Sequence, residues 1–152
     1  MTDFRFSYPI TVRYSDLDPQ AHVNNARYLS YFEQARVAYI QHLELWDGKS
    51  FLDLGFVLAN AKVDFKAPIL LSDDIQVKMR ISRLGEKSLE MEYQIDGVLS
   101  GRIFATGSTT LVAYNYREGR AFSIPEAWRM RIAAFENILQ KSEAHEYNTY
   151  HK

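Results

Sequence analysis

Residues 14–36, YSDLDPQAHVNNARYLSYFEQAR, gather two carboxylates (Asp16, Asp18), a histidine (His22) and two asparagines (Asn24, Asn25) directly ahead of an apolar, aromatic-rich helical pattern. A helix start presents main-chain N–H groups without intrahelical acceptors, at the positive end of the helix dipole. Such donors suit a carbonyl oxygen that becomes an oxyanion during attack. A carboxylate just upstream could attack that carbonyl itself or activate water to do so. The pattern therefore points to acyl transfer. A thioester is the natural target, because its carbonyl is electrophilic and its leaving group good. A plainer reading runs beside this one: Asp and Asn also cap helices and shape turns, and His22 could simply anchor the loop.

Other chemistries are excluded by what the residues lack. The run DLDPQAHVNNAR opens like a calcium loop, but Ala21 stands where that loop needs glycine and Arg27 where it needs an acid. Asp16, Asp18 and His22 have no second histidine near them, so no metal is expected. HExxH, GxSxG, GxxxxGK and GxGxxG do not occur. The absence of cysteine removes thiol nucleophiles, zinc-thiolate sites and disulfides together. With 18 basic and 19 acidic residues and no basic stripe, a nucleic-acid partner is not expected. There is no apolar run of membrane-spanning length and no signal-peptide pattern at the start, so a cytoplasmic protein without a membrane partner is expected. A chain of 152 residues, 47% hydrophobic and 14% aromatic, suits one domain with a real core over residues 1–142 and a polar, frayed tail over 143–152.

The elements that must hold the polar cluster follow from periodicity. Residues 4–13 alternate as a strand, with Pro9 marking an edge or a bulge. A loop leads to a helix from about Asn24, its cap, to about Leu45. The helix buries Tyr28, Tyr31, Phe32, Ala35, Ala38, Tyr39 and Leu43, with Leu29, Val37 and Ile40 widening the stripe. Glu33, the one acid of the helix interior, is a reserve catalytic candidate, but an ion pair with Arg36 three residues on is favoured. Residues 56–65 read as a strand with Val57, Ala59, Ala61, Val63 and Phe65 on one face. Strands over 74–84, 88–95 and 101–116 follow. Asp96 and Gly97 give a hairpin signal, and Gly107 marks a bulge or a close backbone approach. A second helix over 125–141 is capped by Ser123. Short connections imply antiparallel pairing. The expected architecture is α+β: a five-stranded antiparallel sheet wrapped around one long helix, plus a short C-terminal helix. The edge left over is a surface for edge-to-edge dimerisation.

SDLDPQAHVNNARYLSYFEQAR resembles the hotdog-fold acyl-coenzyme A thioesterases, specifically the 4-hydroxybenzoyl-coenzyme A thioesterase-like family. VDFKAPILLSDDIQVKMRISRLGEKSLEMEYQI and SIPEAW resemble later segments of the same family, so the likeness spans about residues 13–128. It implies a thioester hydrolase with Asp18 as nucleophile or general base, and the Asn25 backbone N–H polarising the thioester carbonyl. Asp16 supports the loop. His22 orients Asp18 or a water, or anchors the loop; Asn24 caps the helix or holds the catalytic loop. Tyr28, one turn inside the helix, could line the acyl groove or equally pack in the core, and Phe65 is placed with the substrate-binding residues. Lys66, Arg83, Lys87 and Ser88 could meet coenzyme A phosphates, although each also serves as an ordinary solvated group at a strand end. The family acts on acyl-coenzyme A and needs no cofactor, coenzyme A being part of the substrate. It sets its site between subunits of a homodimer, often paired into a tetramer. The HVNN form is similar to members acting on fatty rather than aromatic acyl groups. Two alternatives stand beside hydrolysis. One is a hotdog enoyl-coenzyme A hydratase, whose D-x-N-P-x-H motif the run from Asp16 to His22 partly matches. The other is a non-catalytic module that binds acyl thioesters.

Overall fold

The computed structural model describes residues 3–138. The chain forms β1 (Phe6–Ile10), α1 (Asn25–His42), β2 (Phe56–Phe65), β3 (Ile75–Leu84), β4 (Ser88–Gly97), β5 (Ile103–Asn115), β6 (Arg120–Ala121) and α2 (Glu126–Glu136), with single 3-10 turns at Tyr14–Asp16 and Phe51–Asp53. The strands pair antiparallel in the order β1-β3-β4-β5-β2, and β6 adds two residues to the end of β5. The α+β layout matches the expected one. The short β6 is the addition, because two residues are too few to show a period. No helix among the described residues is long and apolar enough to cross a membrane.

Alternation decides which face of the sheet meets the helix. Ile75, Val77, Met79 and Ile81 of β3, with Leu89, Met91, Tyr93 and Ile95 of β4, are all fully buried. Against them α1 lays Tyr28, Tyr31, Phe32, Ala35 and Tyr39. Each such side chain contributes roughly 1.5–3 kcal/mol by leaving water, so this layer is the core. Phe32 stacks flat on Tyr93, 4.4 Å between ring centroids. Gly107 makes that possible: a Cβ there would stand 2.5 Å from the Phe32 ring and 2.6 Å from the Lys62 carbonyl oxygen. Of the two expectations for a glycine inside this strand, a bulge or a close approach, this is the close approach. Gly107→Ala accordingly costs about 1–3 kcal/mol of stability by overpacking, read as a lower urea midpoint at unchanged m-value.

The boundaries differ from the sequence reading for local reasons. The first strand is only Phe6–Ile10, at the sheet edge as Pro9 requires. Beyond Phe6 the free edge of β3 is served by Glu136 instead, whose carboxylate accepts from the Ile81 N–H at 3.0 Å and from the Tyr39 hydroxyl. Helix α1 stops at His42 rather than Leu45: Glu44 takes left-handed backbone (φ +60°) and the Leu45 N–H returns to the Ile40 carbonyl at 3.0 Å. A bulge between Leu58 and Asn60 breaks the single face expected for β2. Phe56 and Leu58 share the inner face with Ala61, Val63 and Phe65, as their partners on β5 show, and Val57 does not. Asp96 and Gly97 are the last residues of β4, not the hairpin turn, which follows at residues 98–100. Ser123 does not cap α2; Pro125 is the cap residue, and the Ser123 hydroxyl donates to Glu86. The expected end of that helix at Lys141 and the tail over 143–152 lie outside the described residues.

Candidate active site

The loop from β1 to α1 is built around its two aspartates. Asp16 is buried. Its Oδ2 accepts from the Arg13 N–H at 3.0 Å and from the Tyr31 hydroxyl at 2.8 Å, and Arg27 stands 3.7 Å from Oδ1. Burial, reinforced by the Asp16 carboxylate, pushes the Tyr31 hydroxyl well above the usual phenol range, so it remains a donor at physiological pH. The Asp16 carbonyl also accepts the Asn24 N–H. Asp16 thereby ties the start of the loop to the helix, as expected of it.

Asp18 opens a turn. Its carbonyl accepts the Ala21 N–H at 2.9 Å, with Pro19 second and Ala21 at φ +63°. Pro suits that second place and Asp the first. Oδ1 of Asp18 accepts the N–H groups of Gln20 and His22. Among the described residues no donor lies on Oδ2, which is open to solvent. The side chain is thus anchored by one oxygen and free at the other. A bridge between Leu17 and Val23 closes this loop, and the Val23 N–H donates to the Ile69 carbonyl, fixing it to the segment after β2. His22 touches Asp18 through its main chain, not its ring.

Asn24 is the cap of α1: its side chain accepts the Ala26 N–H at 2.9 Å. The Asn25 N–H, first in the helix, has no acceptor among the described residues. It is the kind of bare donor that can meet an oxyanion. One turn on, Tyr28 is buried and meets Phe65 edge-to-face at 4.9 Å, whereas Phe65 itself is 49% exposed. The structure therefore brings Asp18, His22, Asn24, Asn25, Tyr28, Phe65 and the exposed Lys66 to one end of the sheet.

Arg83, Lys87 and Ser88 stand at the other end. Leu84 and Leu89 close the β3–β4 turn there, level with Leu111 and Leu58, while Phe65 pairs with Ala105 at the loop end. Arg83 is also committed to Glu90 at 2.8 Å. Within one chain these three are not part of the Asp18 cluster, contrary to a single continuous site. Sequence reasoning missed Tyr31 and Arg27 as partners of Asp16. Their one signal is helical spacing: four residues apart, both project from the start of α1. A cavity of about 450 Å³ beside them is lined by Arg13, Ser15, Asp16, Arg27, Ser30 and Tyr31, among others. Among the described residues no group of three or more His, Asp or Glu is arranged to hold a metal ion.

A curled antiparallel sheet around one buried helix, with polar groups collected at the helix start, is the hotdog architecture of thioesterases. The model of the Thioesterase-like superfamily matches residues 12–133, and the chain belongs to that family. It is 27% identical over 123 residues to the long-chain acyl-CoA thioesterase FadM of Escherichia coli (strain K12), covering 81% of this chain and 93% of that protein. It is 31% identical over 98 residues to the acyl-CoA thioesterase YbgC of Haemophilus influenzae, covering 62% of this chain and 71% of that one. A Thermus thermophilus thioesterase solved with coenzyme A and zinc superposes with a TM-score of 0.78 at 40% identity, over 91% of this chain and 100% of that one. The protein is an enzyme, a thioester hydrolase.

Proposed function

We propose that the chain hydrolyses acyl-coenzyme A thioesters, with Asp18 as the catalytic carboxylate and the Asn25 N–H as the oxyanion donor. The observation that carries this is the contrast between the aspartates. Asp16 is taken up by Tyr31, Arg13 and Arg27, whereas Asp18 keeps one oxygen free beside a helix start whose first N–H is bare. As general base, Asp18 takes a proton from water as the water oxygen attacks the carbonyl. As nucleophile, it forms an anhydride that water then opens. In either course the carbonyl oxygen gains charge against the Asn25 N–H. With Asp18 as base, the C–S bond breaks as the tetrahedral intermediate collapses, and the thiolate takes up the proton Asp18 holds. With Asp18 as nucleophile, the C–S bond breaks as the anhydride forms, before water opens it, and the thiolate is protonated from water. Free acid and the thiol of coenzyme A are released.

The acyl chain lies along the inner face of β2. Leu58 and Phe65 are 43% and 49% exposed there, too apolar a strip to face water. Helix α1 meets it only at the Phe65 end, through Tyr28, because its buried stripe is turned toward the middle of the sheet. β2 is also a ten-residue edge strand with a free ladder. A second copy that pairs its β2 antiparallel to this one covers both features and makes a homodimer. That pairing turns one copy end for end, so residues 83–88 of one copy come to the Asp18 end of the other. Arg83, Lys87 and Ser88 then serve coenzyme A across the interface, with Lys66 on the near side. The names FadM and YbgC, and the coenzyme A held by the Thermus protein, favour acyl-coenzyme A over other thioesters.

Thiol release from a panel of saturated acyl-coenzyme A thioesters, benzoyl-coenzyme A and an acyl-carrier-protein thioester tests the reading. Turnover is expected on fatty acyl-coenzyme A. Turnover confined to the carrier-protein thioester, or no thiol from any of them, would overturn it.

A further inference from the structure

We propose that Glu33 and Arg36 exchange partners between two copies of the chain, Glu33 of each pairing with Arg36 of the other at the two-fold axis; this rests on the β2-to-β2 dimer above. Arg36 is only 8% exposed, yet its one carboxylate neighbour among the described residues of its own chain, Glu33, is 3.9 Å away. Its other partner is the Tyr93 hydroxyl at 3.3 Å, which lies 2.7 Å from the Thr109 hydroxyl. A guanidinium this buried calls for a better-placed carboxylate. The Glu33 side chain is 66% exposed, free to supply one to a neighbour.

Position argues for that neighbour being a second copy. Through Tyr93, Arg36 stands level with Thr109, which pairs with Ala61, near the middle of β2. Glu33 and Arg36 also flank the middle of α1, which runs from Asn25 to His42. An antiparallel pairing centred on β2 therefore sets the middle of one helix beside the middle of the other, running in opposite directions. On one helix the order is acid then base; on the other it is base then acid. Each carboxylate faces a guanidinium, the self-complementarity that a two-fold contact demands. Both helices are thereby held at mid-length over the shared apolar strip, and the acyl groove is closed at that level.

Charge reversal tests the exchange by sedimentation velocity. Glu33→Arg leaves two cations on this face and Arg36→Glu two anions, so each protein alone repels its own copy. Each is expected to raise the dimer Kd at least about tenfold, in line with like-charge juxtaposition at an interface. Mixed in equimolar amounts, the two are expected to form a heterodimer with Kd within about threefold of wild type. Failure of the mixture to associate, or single variants that dimerise as wild type does, would overturn the proposal. If Arg36→Glu does not fold, judged by its thermal melt, Arg36→Met and Glu33→Gln replace the pair. Each neutral variant must then weaken the dimer at least about threefold, and the double variant no more than the worse single one, since partners in one contact are not additive. Additive losses, or none, would sink it. A wild type that stays monomeric refutes the β2 dimer itself, and a dimeric wild type that releases no thiol refutes thioester hydrolysis, so the three failures are distinguishable.

Discussion

Asp18→Ala and Asp18→Asn are each expected to lower kcat/KM for acyl-coenzyme A hydrolysis by at least about 100-fold, which is about 2.7 kcal/mol of lost barrier reduction. The asparagine variant separates chemistry from architecture. Oδ1 of Asp18 holds the turn by accepting from Gln20 and His22. Asparagine keeps an acceptor oxygen there and is equally suited to the first place of a turn. Asp18→Asn should therefore melt within about 0.5 kcal/mol of wild type, as a surface change away from the core does, and still be inactive. Asn in place of Asp cannot take a proton from water or attack a carbonyl. A folded Asp18→Asn enzyme with wild-type rates would show that Asp18 is a turn residue only.

The second large effect belongs to Asp16, and the same pair of substitutions gives the opposite pattern. Asp16→Ala strands the Tyr31 hydroxyl and the Arg13 N–H, both of which donate to Oδ2. A buried donor left without an acceptor costs about 1–3 kcal/mol. The variant should lose about 2–4 kcal/mol of stability, a fall in Tm of roughly 6–12 °C for a chain of this size. Asp16→Asn offers one amide oxygen to both donors and gives up only the longer attraction to Arg27. Most of the stability, and with it the activity, should return. Activity that follows folding at position 16, but not at position 18, assigns support to one aspartate and chemistry to the other.

Much of the fold could be read from period and turn residues. β3 and β4 carry strict alternation, and the apolar stripe of α1 gave its buried face, with Asn24 as its cap. Gly107 was legible as a bulge or a close approach, the two reasons for a glycine to interrupt so long a strand, and the Phe32 ring against it decides for the second. Features that depend on distant residues could not be read. The end of α1 is set by Glu44, whose left-handed backbone a sequence pattern does not announce. The bulge near Ala59 shifts the face of β2 without changing composition. The roles of Asp16 and Asp18 look alike on paper, since both precede a helix. Tyr31, whose hydroxyl takes up Asp16, lies fifteen positions on and is visible only once α1 is folded against the loop. Likewise Arg83, Lys87 and Ser88 are chemically suited to phosphates, but sheet topology puts them at the far end of their own chain.

The most direct test of thioester hydrolysis follows free thiol and enoyl absorbance together, with the wild-type enzyme acting on palmitoyl- and crotonyl-coenzyme A. Thiol should appear in step with free acid from the fatty thioester. Loss of enoyl absorbance from crotonyl-coenzyme A without free thiol, and no thiol from palmitoyl-coenzyme A, would contradict hydrolysis and favour addition of water to the double bond.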